Sequence, residues 1–166
     1  MVERLPRAIY ERLAAVADFE GEIHQMRRRL EREVPAPSSN PKTAPGGYYD
    51  VDFVVSYLRL RNRVGTLPGA NMAEQIVALR AANHISAEDA AGLTAGAGFL
   101  RSIDHILRLV TGKAPSGLPE HLGHAEAVES LARRWKLVPD GQTLTRSFND
   151  TRQQVRYIYR RLVGSE

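Results

Sequence analysis

Cysteine is absent from the 166 residues. That removes disulfide staples, thiolate metal sites and a cysteine nucleophile together, and it fits a reducing compartment. No apolar run reaches the ~20 residues needed to cross a bilayer. The opening residues, with Glu3, Arg4 and Arg7, lack the apolar stretch of a signal peptide. A soluble, cytoplasmic protein without a membrane partner is therefore expected. Period-two alternation of apolar and polar residues is also missing, which speaks against strands. So are a phosphate-cradling glycine loop, a Gly-x-Ser-x-Gly elbow and a His-Glu-x-x-His pair.

What remains is ordinary globular composition, 43% hydrophobic and 25% charged. A chain of this length buries roughly 70% of its unfolded surface without staples, so residues 1–166 are expected to form one domain. The net charge of +4 and the pI near 9.7 are a mild basic excess spread over several segments.

Helical spacing runs nearly throughout. Ile9, Leu13, Val16, Phe19, Ile23, Met26 and Leu30 step by three or four from about Pro6 to Glu33, predicting one long helix. Arg27, Arg28 and Arg29 fall in its last turns, where cations suit the negative end of the dipole. Residues 34–47 (VPAPSSNPKTAPGG) read as a flexible loop with almost nothing to bury. A second helix, Asp50–Arg63, is apolar over a wide arc (Val51, Val54, Val55, Leu58; Phe53, Tyr57, Leu60), as central helices are. Asn71 with Glu74 predicts a capping box, and Ser86 with Asp89 a second N-terminal cap. Behind Ser86 runs a helix to about Val110 whose first half is crowded with Gly92, Gly96, Gly98 and alanines. Each interior glycine costs roughly 0.5–1 kcal/mol against alanine, so close packing of a neighbour is expected there. A short helix through Val128, Leu131 and Trp135 follows, then a last one from about Thr143 to Val163. The predicted fold is all-α, a bundle of five to six mostly antiparallel helices.

Few constellations suggest chemistry. Asp50 and Asp52 form an Asp-x-Asp, a pattern that holds magnesium in many phosphoryl-transfer enzymes. Two apart on a helix, they point about 200° from each other and cannot share an ion. His121 and His124, beside Glu120 and Glu126, lack a guaranteed set of convergent ligands, so no metal site is assigned. Asp104-His105 could reach a phosphate or a partner domain, or form a polar edge of the bundle. Arg152, Arg156 and Arg160, four apart, predict a basic face on the last helix, suited to solvent, an acidic partner or nucleic-acid phosphates. Without interleaved aromatics on that face, nucleic acid is the lesser expectation.

Gly46-Gly47-Tyr48-Tyr49-Asp50-Val51-Asp52-Phe53 and the residues to Arg61 resemble a recurrent motif of glutamine-synthetase adenylyltransferases. There a Gly-Gly pair, two variable residues, an acid, an aliphatic, an acid and Phe open a helix. Phe19–Glu33, Asn71–Ala82, Ile85–Ala90, Phe99–His105 and Leu131–Trp135 follow in the family's order. The chain departs from the pattern in Asp52, where Glu is usual, and in Tyr48-Tyr49, where Ile-Arg is frequent. The resemblance implies a helical accessory domain beside a nucleotidyltransferase core that this chain does not contain. It implies ATP and magnesium as cofactors of the full-length enzyme, with none held by this chain and no catalytic residue in it. It implies glutamine synthetase and PII protein as partners. By the same resemblance Gly46, Gly47, Asp50, Asp52, Asp104 and His105 are interface or nucleotide-proximal positions. The alternative expectation is a stand-alone basic module that binds nucleic acid or protein.

Overall fold

In the computed structural model, residues 19–33, 39–65, 69–114 and 116–164 are described. They hold six helices: α1 (Phe19–Glu33), α2 (Tyr48–Asn62), α3 (Met72–Ala81), α4 (Ala87–Thr111), α5 (Leu122–Arg134) and α6 (Leu144–Val163). No strand occurs among them. The all-α expectation holds. The part of the first helix predicted upstream of Phe19 lies outside the described residues. No described helix is long and apolar enough to cross a membrane.

The helix ends follow local chemistry. Asn71 accepts from the Glu74 amide while Glu74 accepts from the Asn71 amide, the capping box read in the sequence. Ser86 Oγ accepts from the Asp89 amide and starts α4, and Thr143 does the same for Arg146 at α6. Asp89, itself buried, holds the Ser86 hydroxyl and receives Arg161 from the last turn of α6. Arg63, Asn83 and Lys136 take left-handed backbone at or just beyond the ends of α2, α3 and α5, and Gly112 does so at the end of α4.

Two helices share the centre. α4 touches α2, α3, α5 and α6, while α2 touches α1, α3, α4 and α6. The core they enclose includes Val51, Val54, Val55 and Tyr57 of α2, Leu93, Leu100, Ile103 and Ile106 of α4, and Phe148 and Val155 of α6. The small residues of α4 do what their cost suggested. Gly92 faces Gln154 and Ile158, and Gly96 faces Val155, so α6 lies directly on the α4 backbone. Gly98 faces open space.

One inward assignment is overturned, and one helix ends earlier than expected. Met26 is 54% exposed and Arg27 is 1% exposed, so the stripe of α1 turns one residue further than apolar spacing implies. The short helix expected to run through Trp135 stops at Arg134, and Trp135 is its C-cap, 42% exposed. Residues 39–47 also depart from a loop with nothing to bury: Asn40 and Ala44 are buried, and Asn40 caps the Lys42 and Thr43 amides.

The glycines of α4 give a paired prediction. A Cβ at Gly96 would sit 2.6 Å from Val155 Cγ2. Gly96→Val should therefore lower the melting temperature, as overpacking costs about 1–3 kcal/mol. Gly98→Ala meets nothing within 4 Å and should raise it, by about 0.5–1 kcal/mol of helix propensity. Thermal denaturation followed by circular dichroism reads both.

Candidate functional site

The Gly-Gly turn is built by what it leaves out. Gly46 has φ +76°, and a Cβ there would lie 2.1 Å from the Arg152 carbonyl oxygen, so the α6 backbone approaches it directly. A Cβ at Gly47 would lie 2.8 Å from the Lys42 and Ala44 carbonyl oxygens. Both glycines thus answer a close backbone approach. Gly47 serves as N-cap of α2 without a side-chain bond, and its amide donates to Ala44 at 2.8 Å.

Asp50 stands in the first turn of α2 with no exposed surface. Its Oδ2 accepts the Gly46 amide at 2.7 Å, closing the turn. Its Oδ1 accepts Arg27 Nε at 2.6 Å, and its Oδ2 also accepts Arg156 Nη1 at 3.1 Å. Arg27 donates further to the Thr43 and Ala44 carbonyls, while Glu31 lies 3.4 Å from Arg27 and 3.2 Å from Arg156. One buried carboxylate thereby joins α1, the turn, α2 and α6. Burial opposes the charge on Arg156, but Asp50 and Glu31 more than offset it and its pKa is raised. The Arg152 pKa is lowered by burial, against the pull of Asp50. Burial and the Asp50 charge push the Tyr159 phenol up to about 12.

Asp52 behaves differently. It is exposed, and partial burial raises its pKa. The two aspartates do not converge, as their spacing demanded. Asp50 has its oxygens engaged by internal donors, and no group of three metal-ligating side chains forms among the described residues. The residues of this turn do not fit a magnesium site.

The basic face is corrected. Arg152 bends back to the Pro45 carbonyl, with Nη2 at 2.7 Å, and Arg156 turns to Asp50 and Glu31. Of the three, Arg160 alone is exposed. Buried carboxylates and bare carbonyls draw these arginines inward, which four-residue spacing cannot reveal.

Asp104 pairs with Arg108 at 2.8 Å one turn along α4. His105 is exposed and stacks on Trp135, with ring centroids 5.9 Å apart and 26° between planes. His121, the N-cap of α5, and His124 in its first turn face each other at 5.2 Å, and no third ligand joins them among the described residues. Sequence reasoning missed Arg27, because an arginine in a late turn also satisfies the helix dipole. Its place four residues after Ile23, on the inward stripe, was the available signal. It also missed Lys42 and Arg101, whose charges lie over Tyr49 and Tyr48, each 5.6 Å from the ring centre.

Comparison with known proteins now adds to this geometry. A family model described as GlnD PII-uridylyltransferase matches residues 17–163. The bifunctional glutamine synthetase adenylyltransferase/adenylyl-removing enzyme of Mycobacterium leprae is 40% identical over 130 residues, which is 76% of this chain. Its counterpart from Mycobacterium avium is 40% identical over 129 residues, and that from Mycolicibacterium smegmatis 38% over 128. The chain spans 13% of the length of each of these relatives.

The aspartates should separate cleanly in a stability assay. Asp50→Asn leaves the buried Arg27 with only Glu31, 3.4 Å away, as counter-charge and should cost about 3 kcal/mol, a fall in melting temperature of roughly 2–4 °C per kcal/mol. Asp52→Asn should raise the melting temperature slightly at neutral pH, because folding disfavours the Asp52 charge. A raised carboxyl pKa contributes stability only at low pH and loses it as pH rises. The gain from Asp52→Asn should therefore vanish below the ordinary value of 3.8.

Proposed function

The chain belongs to the GlnD PII-uridylyltransferase family, and from that premise we propose that it serves as a helical accessory domain packed beside a nucleotidyltransferase core. In this reading the core carries the transfer chemistry, with its ATP and magnesium, and the helical domain completes and positions it. Glutamine synthetase is the proposed target, as the names of the relatives indicate, and a PII protein is a proposed regulatory partner.

The observation that carries the reading is the family match across 17–163, which takes in all six described helices. The motif residues support it in a particular way. Gly46, Gly47 and Asp50 form an internal tie that fixes α1 and α6 around the start of α2. Their part is to shape the domain, while Asp52, Asp104 and His105 are the motif positions with surface to offer a neighbour. The rival reading, a basic nucleic-acid-binding module, is weakened because Arg152 and Arg156 are spent on internal partners.

Radiolabelled AMP transfer to purified glutamine synthetase tests this. The chain alone should give background only, and turnover above background would overturn the proposal. A hybrid enzyme in which these residues replace the matching segment of the Mycobacterium leprae relative should retain transfer. A folded hybrid without activity would count equally against it.

A further inference from the structure

Two hollows adjoin on the surface of α4, and together they have the makings of a ligand site that the accessory role does not call for. The larger, about 450 Å³, is lined by Arg101, Ser102, Asp104, His105, Arg108 and Trp135. The smaller, about 250 Å³, shares Arg101 and Asp104 and adds Lys42 from the turn before α2 and Tyr48 from its first residue. These volumes together fall in the range that small ligands occupy, roughly 300–1,000 Å³.

The chemistry is uneven in a useful way. Positions 101, 104, 105 and 108 share one face of α4 by their three- and four-residue spacing. Trp135 is brought to that face by the end of α5, where its amide donates to Leu131 at 2.9 Å. His105 stacks against the indole, yet 42% of Trp135 stays exposed, which leaves area for a second flat ring. Arg101 and Arg108 line the same hollow as this aromatic surface, and Lys42 lines the adjoining one. Asp104 neutralises Arg108 in part. Arg101 has no carboxylate partner among the described residues and rests over the Tyr48 ring. Lys42 is placed likewise over Tyr49. A flat π surface next to fixed cations suits a ligand that is aromatic at one end and multiply anionic at the other.

We propose that these hollows form a nucleoside-phosphate site on the helical domain itself, with the base on Trp135 and the phosphates at Arg101, flanked by Lys42 and Arg108. Asp104 holds Arg108 in place and keeps the field from being a bare anion trap. The site lies within this chain and does not depend on the transfer reaction proposed above.

Trp135 is the sole tryptophan, so its emission reports on the site directly. The full chain is titrated with ATP, adenosine, inorganic tripolyphosphate and poly-glutamate, excited beyond the adenine band, with calorimetry in parallel. ATP should bind saturably and more tightly than adenosine or tripolyphosphate. Arg101→Gln and Arg108→Gln should each weaken it on the order of tenfold without lowering the melting temperature, since both side chains are exposed. Absence of saturable signal and heat would overturn the proposal, as would unchanged affinity in both variants. Tripolyphosphate equal to ATP would reduce the site to an anion patch, and poly-glutamate displacing ATP at lower charge concentration would make it an acidic-protein surface. Either result also overturns it. A failure here leaves the transfer assay of the hybrid enzyme unaffected, so the two readings stand or fall separately.

Discussion

A single carboxylate with no access to solvent organises this bundle. Asp50 is stable as a charge only because Arg27, Arg156 and the Gly46 amide surround it, and each comes from a different part of the chain. Taking an ion out of water costs several kcal/mol, which attraction offsets only when geometry is good and the remaining lone pairs are bonded. Both oxygens of Asp50 meet that condition. The arginines gain in turn: Arg27 satisfies two loop carbonyls besides its carboxylate. A hydrophobic cluster of the same size could stabilise the fold as well, but it would not fix the turn, α1 and α6 in one relative arrangement.

The apolar core around this tie obeys simpler rules. α4 is thin where it meets α6, because Gly92 and Gly96 give up their side chains to Ile158 and Val155. Gly46 does the same on a smaller scale under the Arg152 carbonyl. The last helix is therefore held on two sides by absences, and on a third by arginines that reach back into the turn. Its remaining surface carries Tyr157 and Arg161, the latter pinned to Asp89 at the start of α4.

Much of this was legible beforehand. Helix positions followed from three- and four-residue spacing, and the caps at Asn71 and Ser86 from residue types with one local use. The geometric bar on Asp50 and Asp52 acting together also followed, since it needs only helical rotation. What escaped were choices made across long sequence distances. Arg27 and Met26 exchange roles because a buried aspartate 23 residues away outweighs the usual preference for burying a thioether. Arg152 and Arg156 leave the basic face for the same reason, because an arginine's destination depends on which carbonyl or carboxylate lies within reach. Trp135 is exposed because α5 ends at it, and chain termination of a helix is less sharply encoded than its periodicity.

The reach of the Asp50 tie bears on how the chain acquires its structure. Its ligands stand at positions 27, 46 and 156, so the last of them is synthesised after all the other helices. Until α6 emerges, α1 and α2 can meet only as a partial assembly whose carboxylate lacks one cation and whose glycine-lined groove on α4 has nothing to fill it. Long-range contacts of this kind slow folding, because loop closure comes before its reward. The tie thus stays open until α6 has formed and docked on the turn. The same aspartate that anchors the finished bundle therefore makes its first and last described helices depend on each other.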